Sequence, residues 1–253
     1  MRVEGKVAIV TGAGSPGGIG AAYARALAAE GASVILADID ARASAVAQEI
    51  TDAGGDARFA YADVSSEEST RSLAAEAAGT FGRIDILVNN AALFAGQPSF
   101  PPLLDTPVEI WDSMLRVNLT GTWMCCRAVV PYMAERRSGV IINMASDAGY
   151  RVRNAYGLSK LGVIGLTTAL AQQLGPSNIR VNAIAPGPVW TEAQATFDAA
   201  TLEATKVAME NTPLRRGGVP ADLTGALLWL AGDESTWVTG QVVRINGGDV
   251  MDL

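Results

Sequence analysis

The 253-residue chain contains no histidine. The commonest proton-transfer side chain near neutral pH is therefore missing, and any acid–base chemistry must run through another group. Its two cysteines, Cys125 and Cys126, are adjacent, so neither a disulfide framework nor a Cys/His metal site is available. No metal is expected. Basic residues are outnumbered by acidic ones, 19 to 26, which gives a net charge of −7, and the arginine pairs at 136–137 and 215–216 are too short to form a basic patch. That balance argues against nucleic acid as a partner. No apolar run reaches membrane-spanning length, and the opening stretch "MRVEGKVAIVTG" lacks the apolar core of a secretion signal. The expectation is a cytoplasmic protein that binds neither membrane nor nucleic acid.

What is present is a rhythm. Short apolar runs at 7–10, 33–37, 57–61, 84–90, 139–146, 179–187 and 241–247 alternate with Ala-rich helical patterns at 19–30, 41–53, 66–80, 107–136, 155–174 and 220–231. Unbroken Val/Ile/Leu runs suit parallel strands buried on both faces. The alternation predicts an α/β fold, a doubly wound Rossmann-type parallel seven-stranded sheet flanked by helices, in a single domain spanning 1–253. Two stretches interrupt it. The Pro-rich segment 93–107 reads as a loop, and 188–218 reads as one or two short helices on flexible joints. Long segments at the carboxyl ends of parallel strands are where ligands bind.

"TGAGSPGGIG" (11–20) places Gly12, Gly14, Gly17, Gly18 and Gly20 between the first strand and a helix that opens at Ile19. Glycines there let backbone N–H groups approach a pyrophosphate, and the helix N-terminus adds partial positive charge. Asp38 ends the second strand, eighteen residues after Gly20, where a carboxylate accepts hydrogen bonds from an adenosine ribose. The same carboxylate repels a 2′-phosphate, so the expected cofactor is NAD(H) rather than NADP(H). Asp40 is the better helix cap, and Arg42 is expected to face solvent.

These residues resemble the short-chain dehydrogenase/reductase family in its compact form. The resemblance runs from Lys6 to about Gly248 and rests on an ordered set: "TGAGSPGGIG", "DV" (63–64), "NNAA" (89–92), Asn118, Ser146, "YGLSK" (156–160), "PGPVWT" (186–191) and "TGQVVRINGG" (239–248). It implies that Asp63 and Val64 hold the adenine and that Asn89, Asn90 and Ala91 brace strand four against the cofactor. It further implies that Pro186, Gly187, Val189 and the Thr191 hydroxyl bind the nicotinamide carboxamide, and that Asn118, Ser146, Tyr156 and Lys160 form the catalytic tetrad, with Asn118 holding a water in a relay to Lys160. It implies a homotetramer in which Trp123, Met124, Leu166 and Leu170 are partly interface. Three features depart from the family pattern: a glycine turn two residues longer than usual, with Ser15 and Pro16 in the extension; a short segment between Ser146 and Tyr156; and "INGG" where Asp-Gly-Gly is common.

Tyr156 and Lys160, at i and i+4, share a helix face. Lowering a tyrosine pKa from about 10 by three units requires ~4 kcal/mol, and an ammonium ~4 Å away supplies about that at an effective dielectric of 20. Tyr156 is therefore expected to move the proton of a secondary alcohol or ketone without histidine. Leu93, Phe94, Phe100, Tyr150, Trp190 and Phe197, with Asp147 and Arg153 as polar options, are candidates to line a moderately apolar substrate. The rival readings are a 3-oxoacyl-carrier-protein reductase using NADP(H), and a non-catalytic NAD-binding scaffold or redox sensor. A methyltransferase also uses a doubly wound sheet but has no need of the YxxxK pair.

Overall fold

The computed structural model describes residues 1–94, 101–197 and 199–251. The first half of the chain runs β1 (Val7–Thr11), α1 (Ile19–Ala29), β2 (Ser33–Asp38), α2 (Ala43–Asp52), β3 (Asp56–Tyr61), α3 (Glu67–Phe81) and β4 (Ile86–Asn89). Then follow α4 (Val108–Leu115), α5 (Thr122–Glu135), β5 (Gly139–Met144), α6 (Ala148–Arg151) and α7 (Ala155–Leu174). The last elements are β6 (Ile179–Pro186), α8 (Ala199–Glu210), α9 (Pro220–Ala231) and β7 (Val242–Ile245).

Alternation within the apolar runs explains the layers. In β1, Ala8 and Val10 pack with Tyr23 and Leu27 of α1 and with Leu223 and Leu227 of α9, whereas Ile9 packs on the other face with Leu73 of α3 and Val129 of α5. In β2, Val34 and Leu36 divide from Ile35 in the same way. Strands covered on both faces pair in parallel, in the order β3-β2-β1-β4-β5-β6-β7. The order reverses between β1 and β4, and the crevice at their carboxyl ends is the ligand-binding position of such sheets.

The seven expected strands are all present, with ends shifted by no more than two residues. The helix expected over 107–136 is interrupted: Arg116–Gly121 is a π-helical turn between α4 and α5. There the Thr122 hydroxyl donates to the Asn118 carbonyl at 2.8 Å. The widened turn lets Gly121 approach β3's exit, where a Cβ would stand 3.0 Å from the Val64 carbonyl oxygen. The short helix α6 has no counterpart in the sequence reading; it follows Ser146 directly. Within 188–218, a 3₁₀ turn (Glu192–Thr196) and α8 match the expected short helices. Phe100 lies outside the described residues. Among the described residues, no helix is long and apolar enough to cross a membrane.

Candidate active site

A single cleft of about 930 Å³ runs along the carboxyl ends of the strands, from Asp38 and Asp40 past the glycine turn to Tyr156, Phe197 and Met209. Its two ends are built differently.

At the first end, Gly12 follows β1 with φ of 69°, and a Cβ there would lie 2.6 Å from the Ala91 Cα. Both facts require glycine. The Asn90 amide donates to the carbonyls of Thr11 (3.1 Å) and Gly12 (2.8 Å), and the Thr11 hydroxyl accepts the N–H groups of Asn90 and Ala91. The turn and the end of β4 are thus fastened together. Gly20 sits outside the cleft lining, and a Cβ on it would run into the Gly12 carbonyl; it serves the approach of helix to turn. No described hydrogen bond engages the N–H groups of Ile19 and Gly20, the opening residues of α1. They remain free donors at the positive end of a helix.

Asp38 projects over this turn. One carboxylate oxygen accepts the Gly14 N–H at 2.7 Å and the other accepts the Asp40 N–H at 2.9 Å. Asp40 in turn takes the N–H and guanidinium of Arg42, a partner that holds its carboxyl below the usual range. Arg42 lines the cleft, with Nη2 2.7 Å from Asp40 and Nη1 3.8 Å from Glu192. As expected it faces solvent, 62% exposed, while its pairing with Asp40 also keeps it at the cleft rim. Asp63 and Val64 line the cleft beside Asp38, and Asp63 accepts the Ser65 N–H at 2.8 Å. Asn89 departs from its expected place. Its amide points into the core, donating to Asn143 (2.9 Å) and to the Cys126 sulfur (3.2 Å), because alternation along β4 turns it away from Asn90.

At the other end, Ser146 follows β5, and Asn154 caps α7 by accepting the Gly157 N–H at 2.9 Å. That cap starts the helix so that Tyr156 and Lys160 both reach the cleft. Lys160 is 3% exposed, and its ammonium donates to the Met144 carbonyl at 2.7 Å and lies 5.6 Å from the centre of the Tyr156 ring. Burial lowers its pKa to about 8. Burial also pushes the Tyr156 hydroxyl up to about 12, against a side-chain hydrogen bond with Ser146 that lowers it. The expected lowering by Lys160 is absent here, since the ammonium is directed at Met144 rather than at the phenol oxygen. Phe94 packs edge-on against Tyr156, ring centres 5.0 Å apart, and tilts on Phe197 at 5.8 Å.

Asn118 is fully buried and does not line the cleft. Its side chain accepts the Leu93 N–H at 2.7 Å and donates to the Leu93 carbonyl (3.1 Å) and to the Ser159 hydroxyl (3.1 Å). It ties the chain leaving β4 to α7. Pro186, Gly187, Val189 and Thr191 line the cleft opposite Tyr156. The Thr191 hydroxyl is engaged locally, donating to Gln194 at 2.9 Å in a capping box.

Of the substrate-lining candidates, Leu93, Phe94, Asp147, Arg153 and Phe197 line the cleft; Tyr150 and Trp190 do not. The Arg244 guanidinium lies over the Tyr150 ring at 4.7 Å, and Trp190 stands 41% exposed. Asp147 is buried, takes the Asn246 amide at 2.7 Å, and is pushed up to about 6 by desolvation. The sequence reading did not single out Glu192, which reaches the glycine turn, or Arg151, which pairs with Asp249 at 3.0 Å at the cleft edge. Both contacts join residues far apart in sequence; the lengthened glycine turn was the one available signal.

The family described as enoyl-(acyl carrier protein) reductase matches residues 12–249. A Mycobacterium tuberculosis protein named as an uncharacterized oxidoreductase is 47% identical over 98% of each chain. A 3-oxoacyl-[acyl-carrier-protein] reductase of Thermotoga maritima is 37% identical, covering 99% of this chain and all of its own. The crystal structure of a short-chain type dehydrogenase/reductase from Mycobacterium marinum superposes with a TM-score of 0.90 at 33% identity, covering 99% of this chain and 98% of that one.

Proposed function

The chain belongs to the short-chain dehydrogenase/reductase family, oxidoreductases that use a nicotinamide dinucleotide, and from that premise we propose that it interconverts a secondary alcohol and a ketone with NAD(H). The observation that carries this reading is the pairing, in one cleft, of the free Ile19 N–H at the helix start, beside Asp38, with Tyr156, Ser146 and Lys160 at the far end. The cleft fits a dinucleotide: a donor for the phosphates, a carboxylate for the ribose, and a lining formed by Pro186, Gly187 and Val189 for the nicotinamide end.

The dinucleotide, when bound, supplies or takes the hydride. The remaining work belongs to side chains. Ser146 holds the substrate oxygen by its hydroxyl. Tyr156 moves a proton at that oxygen: with its pKa at about 12 it is protonated at neutral pH and ready to donate in ketone reduction. In alcohol oxidation it must first lose its proton, and the Lys160 ammonium, turned from Met144, favours the phenolate by charge. Asn118 is a positioning residue that fixes Leu93, and so Phe94, over the tyrosine. Phe94, Phe197 and Met209 give the substrate end an apolar lining that favours a moderately apolar, cyclic or branched substrate.

A panel of secondary alcohols and ketones, followed by NADH absorbance, tests the reading. We expect turnover of apolar secondary alcohols with NAD. NADH binding with no turnover across the panel supports the scaffold reading instead. The carrier-protein reductase with NADP(H) is favoured by one observation, the presence of Arg42 at the cleft rim.

We also propose a homotetramer. Trp123 of α5 and Leu161 of α7 are 41% and 44% exposed, and Trp237, before β7, is 99% exposed. Large apolar surfaces in two separate places suit two interfaces. Met124 is 3% exposed and belongs to the core of the chain, not to an interface. Light scattering at micromolar concentration should give about four times the 26.2 kDa chain mass; a monomer mass overturns the proposal.

A further inference from the structure

The two-residue extension of the glycine turn has a partner. Glu192, at the start of the substrate loop, accepts the Ser15 hydroxyl on one carboxylate oxygen and the Gly17 N–H on the other, both at 2.7 Å. Gly17 is matched to it, since a Cβ there would lie 2.7 Å from Glu192 Oε1. The extension is held from behind as well: the Arg25 guanidinium donates to the Pro16 carbonyl at 2.8 Å while paired with Glu49. Arg42, 3.8 Å from the Glu192 carboxylate, places a cation on the same side. The contact thus joins the segment that follows Thr191 to the segment that precedes α1, between two stretches whose neighbouring residues, Thr191 and Ala193 on one and Ser15 and Gly18 on the other, line the cleft.

We propose that Glu192 is a positioning residue whose carboxylate clasps the extended turn, holding the substrate loop closed beside the dinucleotide and slowing its release. This rests on the dinucleotide reading above. The arrangement is a clasp rather than a plug, because Glu192 takes donors that belong to the extension. The Ile19 N–H, at the cleft lining, stays free for a phosphate oxygen. Glu192 keeps its charge across the physiological range: the Ser15 hydroxyl, the Gly17 N–H and Arg42 all hold its pKa below the usual value. Hydrogen bonds to an ionised acceptor are the strong ones, and the partial exposure of this one moderates them.

The test is the NADH dissociation rate, read by stopped-flow nicotinamide fluorescence with excess NAD as the chase. Glu192→Ala should release NADH about tenfold faster, equivalent to ~1.4 kcal/mol, with the association rate within about threefold of wild type. Gly17→Ala, whose methyl displaces the carboxylate, should do the same, and the double variant should be no faster than either single one. Glu192→Asp, one methylene short, should not restore the wild-type rate. A folding defect would lower the stoichiometry of binding instead, leaving the rate of the folded fraction unchanged. Release within twofold of wild type, or additive effects in the double variant, overturns the clasp. Tighter NADH binding by Glu192→Ala also overturns it, in favour of a plug. A wild-type protein that binds no NADH defeats the cofactor reading itself, a different failure from any of these.

Discussion

Tyr156→Phe is expected to lower kcat by about a thousandfold or more while NADH binding stays within about threefold of wild type. The change deletes one hydroxyl and keeps the ring against which Phe94 packs, 5.0 Å away. General acid–base catalysis contributes roughly 10²–10⁴ in rate, and no histidine is present to stand in. A thousandfold loss corresponds to ~4 kcal/mol of transition-state stabilisation. The pH profile should carry the same assignment. Alcohol oxidation needs the ionised form of a group whose pKa burial raises to about 12, so its rate should climb with pH, by up to about tenfold per unit below that value. Lys160, lowered to about 8 by burial, carries its charge only below that pH. Oxidation should therefore rise from pH 6 to 8 and flatten above 8 as the supporting cation is lost. Ketone reduction, which needs the protonated tyrosine, should show no such rise. Activity of Tyr156→Phe within tenfold of wild type would remove Tyr156 from the proposed role.

The inner strands were legible because they are apolar on both faces, as in β1, where Ile9 serves one core and Ala8 and Val10 the other, whereas the edge strand β3 was read from its shorter apolar content. The same property placed the crevice, since a parallel sheet with a reversal beside β1 opens there. The π turn at Arg116–Gly121 was only half visible: Asn118 is poor in a helix, but its bonds to Leu93 and Ser159 join segments remote in sequence. Tyr150 and Trp190 show a different limit. An aromatic residue beside a cleft can turn either way, and here the Tyr150 ring, in α6, lies under the Arg244 guanidinium and does not line the cleft. The electrostatic pairing of Tyr156 with Lys160 was argued from helix spacing alone. Spacing fixes the face but not the last torsion, and the Met144 carbonyl takes the ammonium.

The choice of cofactor is the second large effect expected. Wild type should favour NAD over NADP in kcat/KM by roughly tenfold to a thousandfold. Each Asp38 oxygen accepts one backbone N–H, from Gly14 or from Asp40, and an ionised carboxylate oxygen has capacity for another donor, here a ribose hydroxyl. A 2′-phosphate would face that carboxylate, at a cost of ~4 kcal/mol for charges ~4 Å apart at an effective dielectric of 20, or ~1 kcal/mol in bulk water; at 1.36 kcal/mol per decade these bounds give the stated range. Arg42 is the cation placed, among the described residues, where it could reverse the sign, and it is already committed, with Nε 2.8 Å and Nη2 2.7 Å from Asp40 and Nη1 3.8 Å from Glu192. Asp38→Ala should weaken NAD and narrow the gap, though it also strips the Gly14 and Asp40 N–H groups of their acceptor, so the ratio of cofactors is the readout rather than either rate. Asp40→Ala is the sharper variant. It keeps Asp38 in place and frees the Arg42 guanidinium, so NADP should improve while NAD changes little. Adding Ile39→Arg to Asp38→Ala should carry the preference further toward NADP. If wild type uses the two cofactors equally, Asp38 does not read the ribose, and the carrier-protein reductase reading gains. Tyr156 and Lys160 would keep their proposed roles under either cofactor, because nothing at that end of the cleft senses the 2′-phosphate.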